Sequence, residues 1–138
     1  MFSRIAIFVV LAASTCVAVA QDSGWVQVAV SQDSNDVFSV KLHSGERSVT
    51  KGGAPITVVV GQVEHKLTGQ VDLNKWYVTD ADCNQGYGNL GVTDMDGNFL
   101  YEAPFAQGGK NIASAIATDI CAAGRSSTNK SVNNGLSS

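Results

Sequence analysis

The sequence predicts an α+β domain, a curved antiparallel β-sheet of five or six strands with one C-terminal α-helix packed on a face and held by a disulfide. Three observations support this fold class. Alternating apolar and polar residues, typical of half-buried strands, recur between residues 25 and 101. One four-residue apolar periodicity, typical of an amphipathic helix, follows them. Cys83 and Cys121 are the only cysteines beyond the N-terminal segment, one near the strands and one in the helix.

The first half of the sheet begins with two alternating runs, residues 25–30 and 37–42, which predict an antiparallel hairpin. Residues 43–53 contain three glycines among polar residues and predict an exposed loop. Residues 56–67 form the next apolar run, whose apolar positions change parity after Gly61. Because a glycine inside a strand often marks a bulge, we predict a bent strand, or two strands, broken near Gly61.

The second half of the sheet contains shorter runs. Strands are predicted at residues 71–73, 76–79, 90–95 and 99–101. Residues 80–88 predict a loop, and Asp96-Gly97 predicts a two-residue hairpin turn because both positions favour positive φ. We expect Pro104 and the glycines after it to end the β region.

The helix is indicated by apolar residues at four-residue spacing, Ile112, Ile116 and Ile120. Gly124 is a natural C-terminal stop. Beyond it Ser, Asn, Thr and Gly dominate, so we expect residues 125–138 to be a disordered polar tail. The predicted single domain is therefore residues 21–124.

Residues 1–20 have the pattern of a secretory signal peptide. Arg4 supplies the positive charge, an apolar stretch follows, and an A-x-A site predicts cleavage between Ala20 and Gln21. An N-terminal membrane anchor is disfavoured, because the stretch is shorter than the roughly 20 residues of a spanning helix. Lipidation at Cys16 is disfavoured by the residues before it. We expect an exported protein, periplasmic or secreted to the cell surface, without a transmembrane segment after cleavage.

The two remaining cysteines predict one disulfide, Cys83 to Cys121, because an exported chain meets an oxidising compartment. Free thiols and an intermolecular bridge are the alternatives. Neither cysteine lies in a C-x-x-C or a local histidine motif, so a redox or protease role is not expected.

Composition excludes several functions. The chain has 138 residues, 44% hydrophobic and 15% charged, with a formal net charge of −3. This length allows one domain, and the apolar content argues against disorder. A net acidic chain lacks the clustered Lys and Arg that nucleic-acid phosphates require, so we expect no nucleic-acid partner. Without a recognisable catalytic signature, we expect no enzyme activity, no catalytic residue and no cofactor.

The segment from Asp94 to Asn98 begins like a calcium loop, with acidic or amide residues at alternate positions. A calcium loop also needs Gly at its sixth place and Glu at its twelfth. Phe99 and Phe105 occupy those places, so we interpret the segment as a hairpin turn.

Other metal-ligating residue types are scattered. Asp80 and Asp82 lie beside Cys83 without a nearby histidine, and we expect them to be solvated loop acids. His43 lies in the predicted glycine-rich loop and His65 lies mid-strand, in no recognisable ligand spacing. The sequence therefore predicts no metal site.

Aromatic residues are the remaining clue to function. Most should pack in the core or across strands. Trp25, which shares its strand parity with Gln27, and Tyr87, which lies between two glycines, are the better candidates for exposed aromatic contacts.

The order of these features resembles the surface-adhesin protein E-like family of small exported bacterial proteins. The resemblance rests on Trp25 near the mature start, the Asp82-Cys83 pair, the hairpin from Asp94 to Gly97, and the segment 111–121 with the second cysteine. It covers about residues 24–121. It implies a curved antiparallel sheet, a C-terminal helix held by the disulfide, and adhesion to a host protein, and it carries over no ligand-contacting residue.

Two hypotheses follow for the function. The first is an exported non-enzymatic binding module, adhesin-like, that contacts an unknown protein partner. The alternative is a small periplasmic inhibitor of an enzyme such as lysozyme. A protruding loop would favour the inhibitor, whereas a broad apolar patch or a symmetric homodimer edge would favour the binding module.

Overall fold

The computed structural model describes residues 24–135, of which residues 128–135 are described by their backbone alone. The predicted signal peptide and its cleavage site between Ala20 and Gln21 lie outside the described residues. The elements in chain order are β1 (Trp25–Val30), β2 (Val37–Lys41), β3 (Glu46–Val49), β4 (Pro55–Glu64), β5 (Val71–Thr79), α1 (Asp80–Gln85), β6 (Tyr87–Thr93), β7 (Phe99–Ala106) and α2 (Ile112–Gly135).

The predicted fold class is confirmed. All seven strands form one curved, open antiparallel sheet in the order β1-β2-β4-β5-β6-β7. Helix α2 packs on one face of it, and the Cys83–Cys121 disulfide joins α1 to α2 with the two Cα atoms 5.5 Å apart. We call the sheet face opposite α2 the open face.

The seventh strand is β3, within the segment predicted to be a loop. It pairs with the first half of β4, while β2 pairs with the second half, so the two share one edge of β4. All four β3 residues are exposed. Because none of them is buried, β3 lacks the alternation of apolar and polar residues by which a strand is recognised in a sequence. Strand β5 is also one continuous strand, where two were predicted.

The break predicted near Gly61 is wrong. Strand β4 pairs with β5 without a register shift along the whole of its contact, from Ile56 opposite Thr79 to Glu64 opposite Val71. Val59 is buried in the core beneath α2. Ile56, Val58 and Val60 lie on the open face, because adjacent residues of a strand point to opposite faces.

Gly61 has a packing role in place of the predicted bulge. The indole ring of Trp76 lies over it, and a Cβ at this position would lie 2.4 to 2.5 Å from three ring atoms. Trp76 is opposite Val59 on β5 and is only 2% exposed. The absent side chain at Gly61 therefore makes room for the largest side chain of the core.

The segment after β5, predicted to be a loop, contains helix α1. The Thr79 hydroxyl accepts a hydrogen bond from the Asp82 backbone N–H at 3.1 Å and caps the helix. Gly86 ends it in the left-handed conformation, with φ of 86°. Two acidic residues in the first turn favour this helix through its dipole.

Strand β7 continues to Ala106, past the predicted stop at Pro104. Proline is tolerated here because β7 is the last strand of the sheet, and an edge strand has one side without a hydrogen-bonding neighbour.

Helix α2 begins after Asn111, whose side-chain oxygen accepts a hydrogen bond from the Ser114 backbone N–H at 3.1 Å. It continues to Gly135, so Gly124 does not end it. A Cβ at Gly124 would lie 2.6 Å from the Thr57 hydroxyl oxygen. Glycine here allows the helix to approach β4 closely. Disorder of the polar tail in solution stays a prediction.

The core lies between α2 and the sheet. It consists of Val40, Val59, Trp76, Val78, Leu90, Val92, Phe105, Ala113, Ile116, Ala117, Ile120 and Cys121. The three isoleucines predicted to face the sheet all pack there, Ile116 and Ile120 fully buried and Ile112 partly buried against the cluster. No helix in the described part of the chain is both long enough and apolar enough to cross a membrane.

Candidate functional site

The two predicted aromatic contacts lie far apart on the sheet. Trp25 is half-buried at the start of β1, opposite Lys41. Tyr87 is 61% exposed at the start of β6, opposite Ala106. Strands β2, β4 and β5 separate β1 from β6, so the two rings do not share one site.

The acidic segment at Asp94 is a hairpin turn. One carboxylate oxygen of Asp94 accepts hydrogen bonds from the backbone N–H groups of Asp96 and Asn98, both at 2.9 Å. The other accepts from the Asn98 side-chain amide at 2.9 Å. Hydrogen bonds from Asn98 and the turn backbone lower the pKa of Asp94. The Asp94 carboxylate thus accepts hydrogen bonds within its own turn. The described residues include no group of three or more His, Cys, Asp or Glu residues that could hold a metal ion.

His65 links three segments at one end of the sheet. Its Nε2 lies 2.8 Å from Asp72 Oδ2, and its Nδ1 lies 3.1 Å from Asp36 Oδ2. Both ring nitrogens face carboxylates, an arrangement that suits the doubly protonated imidazolium. The hydrogen bonds to Asp72 and then to Asp36 raise the pKa of His65. We call this trio the histidine clamp, and it ties the turn before β2 to the turn between β4 and β5.

Arg47 is similarly occupied by structural contacts. Its Nη1 donates to the Thr57 hydroxyl at 2.7 Å and to Asp80 Oδ1 at 2.6 Å, while Nη2 pairs with Asp80 Oδ2. The hydrogen bond from Arg47 lowers the pKa of Asp80. The guanidinium joins β3 to β4 and to the start of α1, beside a cavity of about 320 Å³ next to the disulfide.

The open face carries the larger cavity, of about 560 Å³, which we call the open-face groove. Strands β3 to β7 contribute its lining, because their register aligns side chains in rows across the sheet. Glu46, Val58 and Tyr77 share one row. Lys75, Thr93 and Phe99 share the next. The apolar lining residues are Val49, Ile56, Val58, Tyr77 and Phe99, and the charged ones are Glu46, Lys51 and Lys75. Arg47 also borders the groove, but its guanidinium lies on the α2 face with Thr57 and Asp80.

Tyr77 forms part of the groove floor because of the glycine beside it. Gly91 pairs with Tyr77 across β5 and β6, and a Cβ at Gly91 would lie 2.2 Å from the tyrosine ring. The ring therefore lies across the neighbouring strand. This leaves an aromatic surface, half-buried, between Lys75 on its own strand and the hairpin that follows β6.

A row of exposed apolar side chains runs along the outer hairpin of the sheet. Phe99 is 59% exposed and Tyr101 57%, with Leu100 between them. We call these three residues the edge patch. It extends around the edge of the sheet, because Phe99 pairs with Thr93 on the open face and Tyr101 pairs with the adjacent Val92, whereas Tyr87 lies at the other end of the hairpin, opposite Ala106. Sequence reasoning selected Trp25 and Tyr87 as exposed aromatics and missed the three residues of the edge patch. The available signal was three consecutive apolar residues directly after a turn, which strand alternation does not explain.

Comparison with known proteins places the chain in no group: it matches no family model, no curated protein and no solved structure.

Proposed function

We propose that this protein is an exported, non-enzymatic binding module that contacts a partner protein through the edge patch. The single observation that carries the proposal is the exposure of Phe99, Leu100 and Tyr101 on the last strand of the sheet. Exposed aromatics on an edge strand are costly to leave in water and are enriched in protein interfaces. From the resemblance to the adhesin family, we further propose that the partner is a host-surface protein.

Export is supported by the N-terminal pattern and by the disulfide. In the Cys83–Cys121 disulfide, Cys121 is buried in the core. Such bonds persist in oxidising compartments such as the periplasm or the extracellular space. N-terminal sequencing of the exported protein tests this part directly. We expect Gln21 as the first residue, and a mature form that starts at a lipidated Cys16 would contradict it.

Binding through the edge patch is tested with a photo-crosslinking residue at Tyr101 in the exported protein, followed by identification and purification of the captured partner. The dissociation constant is then measured for the double variant Phe99→Ser, Tyr101→Ser. Loss of two interface aromatics should weaken binding at least about tenfold. The matched control is Leu67→Ser, because Leu67 is 87% exposed on the turn between β4 and β5, outside the patch. Unchanged affinity of the double variant would refute the proposal.

The inhibitor remains the second candidate, and that same turn favours it. Leu67 is the most exposed of the large apolar side chains described, at the tip of a short connection that the histidine clamp holds. A rigid protruding turn is the form in which small inhibitors enter enzyme clefts. Inhibition of purified lysozyme that is lost in Leu67→Ser and kept in the edge-patch variant would select this function and exclude the first.

A further inference from the structure

We propose that the open-face groove binds an extended acidic segment of the partner protein, with apolar side chains on the groove floor and carboxylates beside Lys51 and Lys75. This inference rests on the proposed function and adds the chemistry of the segment that the partner contributes.

Charge is the first argument. The chain has a formal net charge of −3, yet the groove is lined by Lys51 and Lys75 against one acidic side chain, Glu46, while the guanidinium of Arg47 lies on the α2 face of the sheet with Thr57 and Asp80. Arg47 is paired with Asp80, whereas neither Lys51 nor Lys75 forms an ion pair with any residue that the structure describes. Cationic side chains gathered in one concavity of an acidic protein focus a positive potential there, which attracts and orients an anionic partner.

The floor of the groove is the second argument. Ile56 is buried, and Val58 and Tyr77 are half-buried, so the charged residues border an apolar surface. A ligand with charged groups alone would leave this apolar surface exposed to water. A segment in which apolar residues accompany the acidic ones satisfies both parts of the lining.

The dimensions favour an extended chain. The lining runs from β3, with Lys51 in the turn after it, to Phe99 at the start of β7. Adjacent strands lie about 4.8 Å apart, so four strand intervals span roughly 19 Å. An extended chain advances about 3.3 Å per residue, and the groove therefore accommodates about six residues.

Continuity with the edge patch is the third argument. Phe99 lines the groove and also belongs to the edge patch. A partner that contacts the patch at Phe99 therefore also contacts the groove, and one bound protein can occupy both surfaces.

The test uses fluorescence anisotropy with a fluorescein-labelled nine-residue peptide of alternating Asp and Leu. Two matched peptides replace every Asp with Lys or every Leu with Ser. We expect the Asp-Leu peptide to bind, both matched peptides to bind at least about tenfold more weakly, and the affinity to fall with added salt. Binding of the Lys peptide at equal affinity, or no binding of the Asp-Leu peptide at about 1 mM, would overturn the inference.

The residues are tested with the double variant Lys51→Glu, Lys75→Glu, and the matched control is Lys41→Glu, Lys110→Glu, two exposed lysines outside the groove. We expect the first pair to weaken peptide binding at least about tenfold and the control pair to change it less than about twofold. If the glutamates lower the melting temperature, the Lys51→Gln, Lys75→Gln pair replaces them. Equal affinities in both pairs would refute the role of the groove.

The same variants separate this inference from the function on which it rests. If the purified partner binds the groove variants normally but loses affinity for the edge-patch variant, the groove inference fails and the binding module stands. If sedimentation shows a homodimer that the groove variants dissociate, the occupant is a second copy, and the acidic segment is refuted.

Discussion

The packing of Trp76 over Gly61 predicts that adding a single methyl group at Gly61 destabilises the protein. In Gly61→Ala the new Cβ would lie 2.4 to 2.5 Å from the indole Cδ2, Cε2 and Cε3 atoms. The ring is buried in the core and rigid, so it cannot rotate away at low cost. Overpacking of this kind costs about 1–3 kcal/mol. The alanine also lowers the entropy of the unfolded chain, which offsets about 0.4–1 kcal/mol.

The net expectation is a loss of about 1–2 kcal/mol in the free energy of unfolding. One kcal/mol shifts the melting temperature of a domain of this size by roughly 4–8 °C, so Gly61→Ala should melt about 4–16 °C below wild type. Thermal and urea denaturation of the oxidised protein, at one protein concentration, measure both quantities.

Gly45→Ala is the matched control. Its Cβ would meet only ordinary contacts, 3.8 Å from Ala123 Cβ and 4.0 Å from Val59 Cγ1, and Gly45 has no positive φ. We expect this variant to be as stable as wild type or slightly more stable. Equal stability of the two alanine variants would refute the contact between Gly61 and Trp76.

Three further predictions concern the helix, the histidine clamp and the disulfide. Gly124→Ala should lower stability despite the better helix propensity of alanine, because the new Cβ would lie 2.6 Å from the Thr57 hydroxyl oxygen. Adding Thr57→Ala should recover part of this loss in the double variant. If urea denaturation showed Gly124→Ala to be more stable than wild type, the result would contradict this contact. The raised pKa of His65 means that its contribution is complete below the unfolded value of 6.5 and is lost as pH rises through the folded value. The melting-temperature difference between wild type and His65→Gln should therefore shrink above neutral pH, and a constant difference would oppose the clamp. Replacing Cys83 and Cys121 by serine opens a loop with a sequence separation of 38 and should cost roughly 4 kcal/mol. Hydrogen exchange should then increase in α2 before the strands, and equal loss of protection in both would refute a local role of the disulfide.

The sequence predicts the features that burial controls. Alternation in β2 and the isoleucine spacing of α2 follow from packing against the core, and these two elements begin where they were expected. Strand β1 also forms, but a bulge between Gln27 and Ala29 interrupts its alternation. The disulfide was predictable because only two cysteines lie beyond the N-terminal segment, which leaves one intramolecular pairing. These features depend on residues close together in the chain or on simple counting.

Features that depend on a neighbour across the sheet were missed. The role of Gly61 in β4 is set by Trp76 of β5, which fills the space above it, and nothing within β4 itself reveals this. Gly124 has the residue type of a helix stop, but its role is set by Thr57 on a distant strand. Helix α1 had a usable signal in the Thr79 cap and the acidic residues after it.

The candidate site was mostly beyond prediction for the same reason. Tyr87 could be selected from its glycine neighbours. The open-face groove combines Lys51 from a turn, Lys75 from the middle of a strand and Phe99 from an edge, and only the sheet register brings them together.

Helix α2 follows all seven strands in the chain, and this order has a consequence for how the protein is made. The helix contacts β1 and every strand from β3 to β7, so it covers a surface assembled from nearly the whole preceding chain. Strands that have already paired still expose Trp76 and Val78 until α2 arrives. A nascent chain therefore stays incompletely folded until the ribosome has released α2. For the same reason, a premature stop codon before Ile112 gives an aggregation-prone, protease-sensitive fragment rather than a smaller working domain.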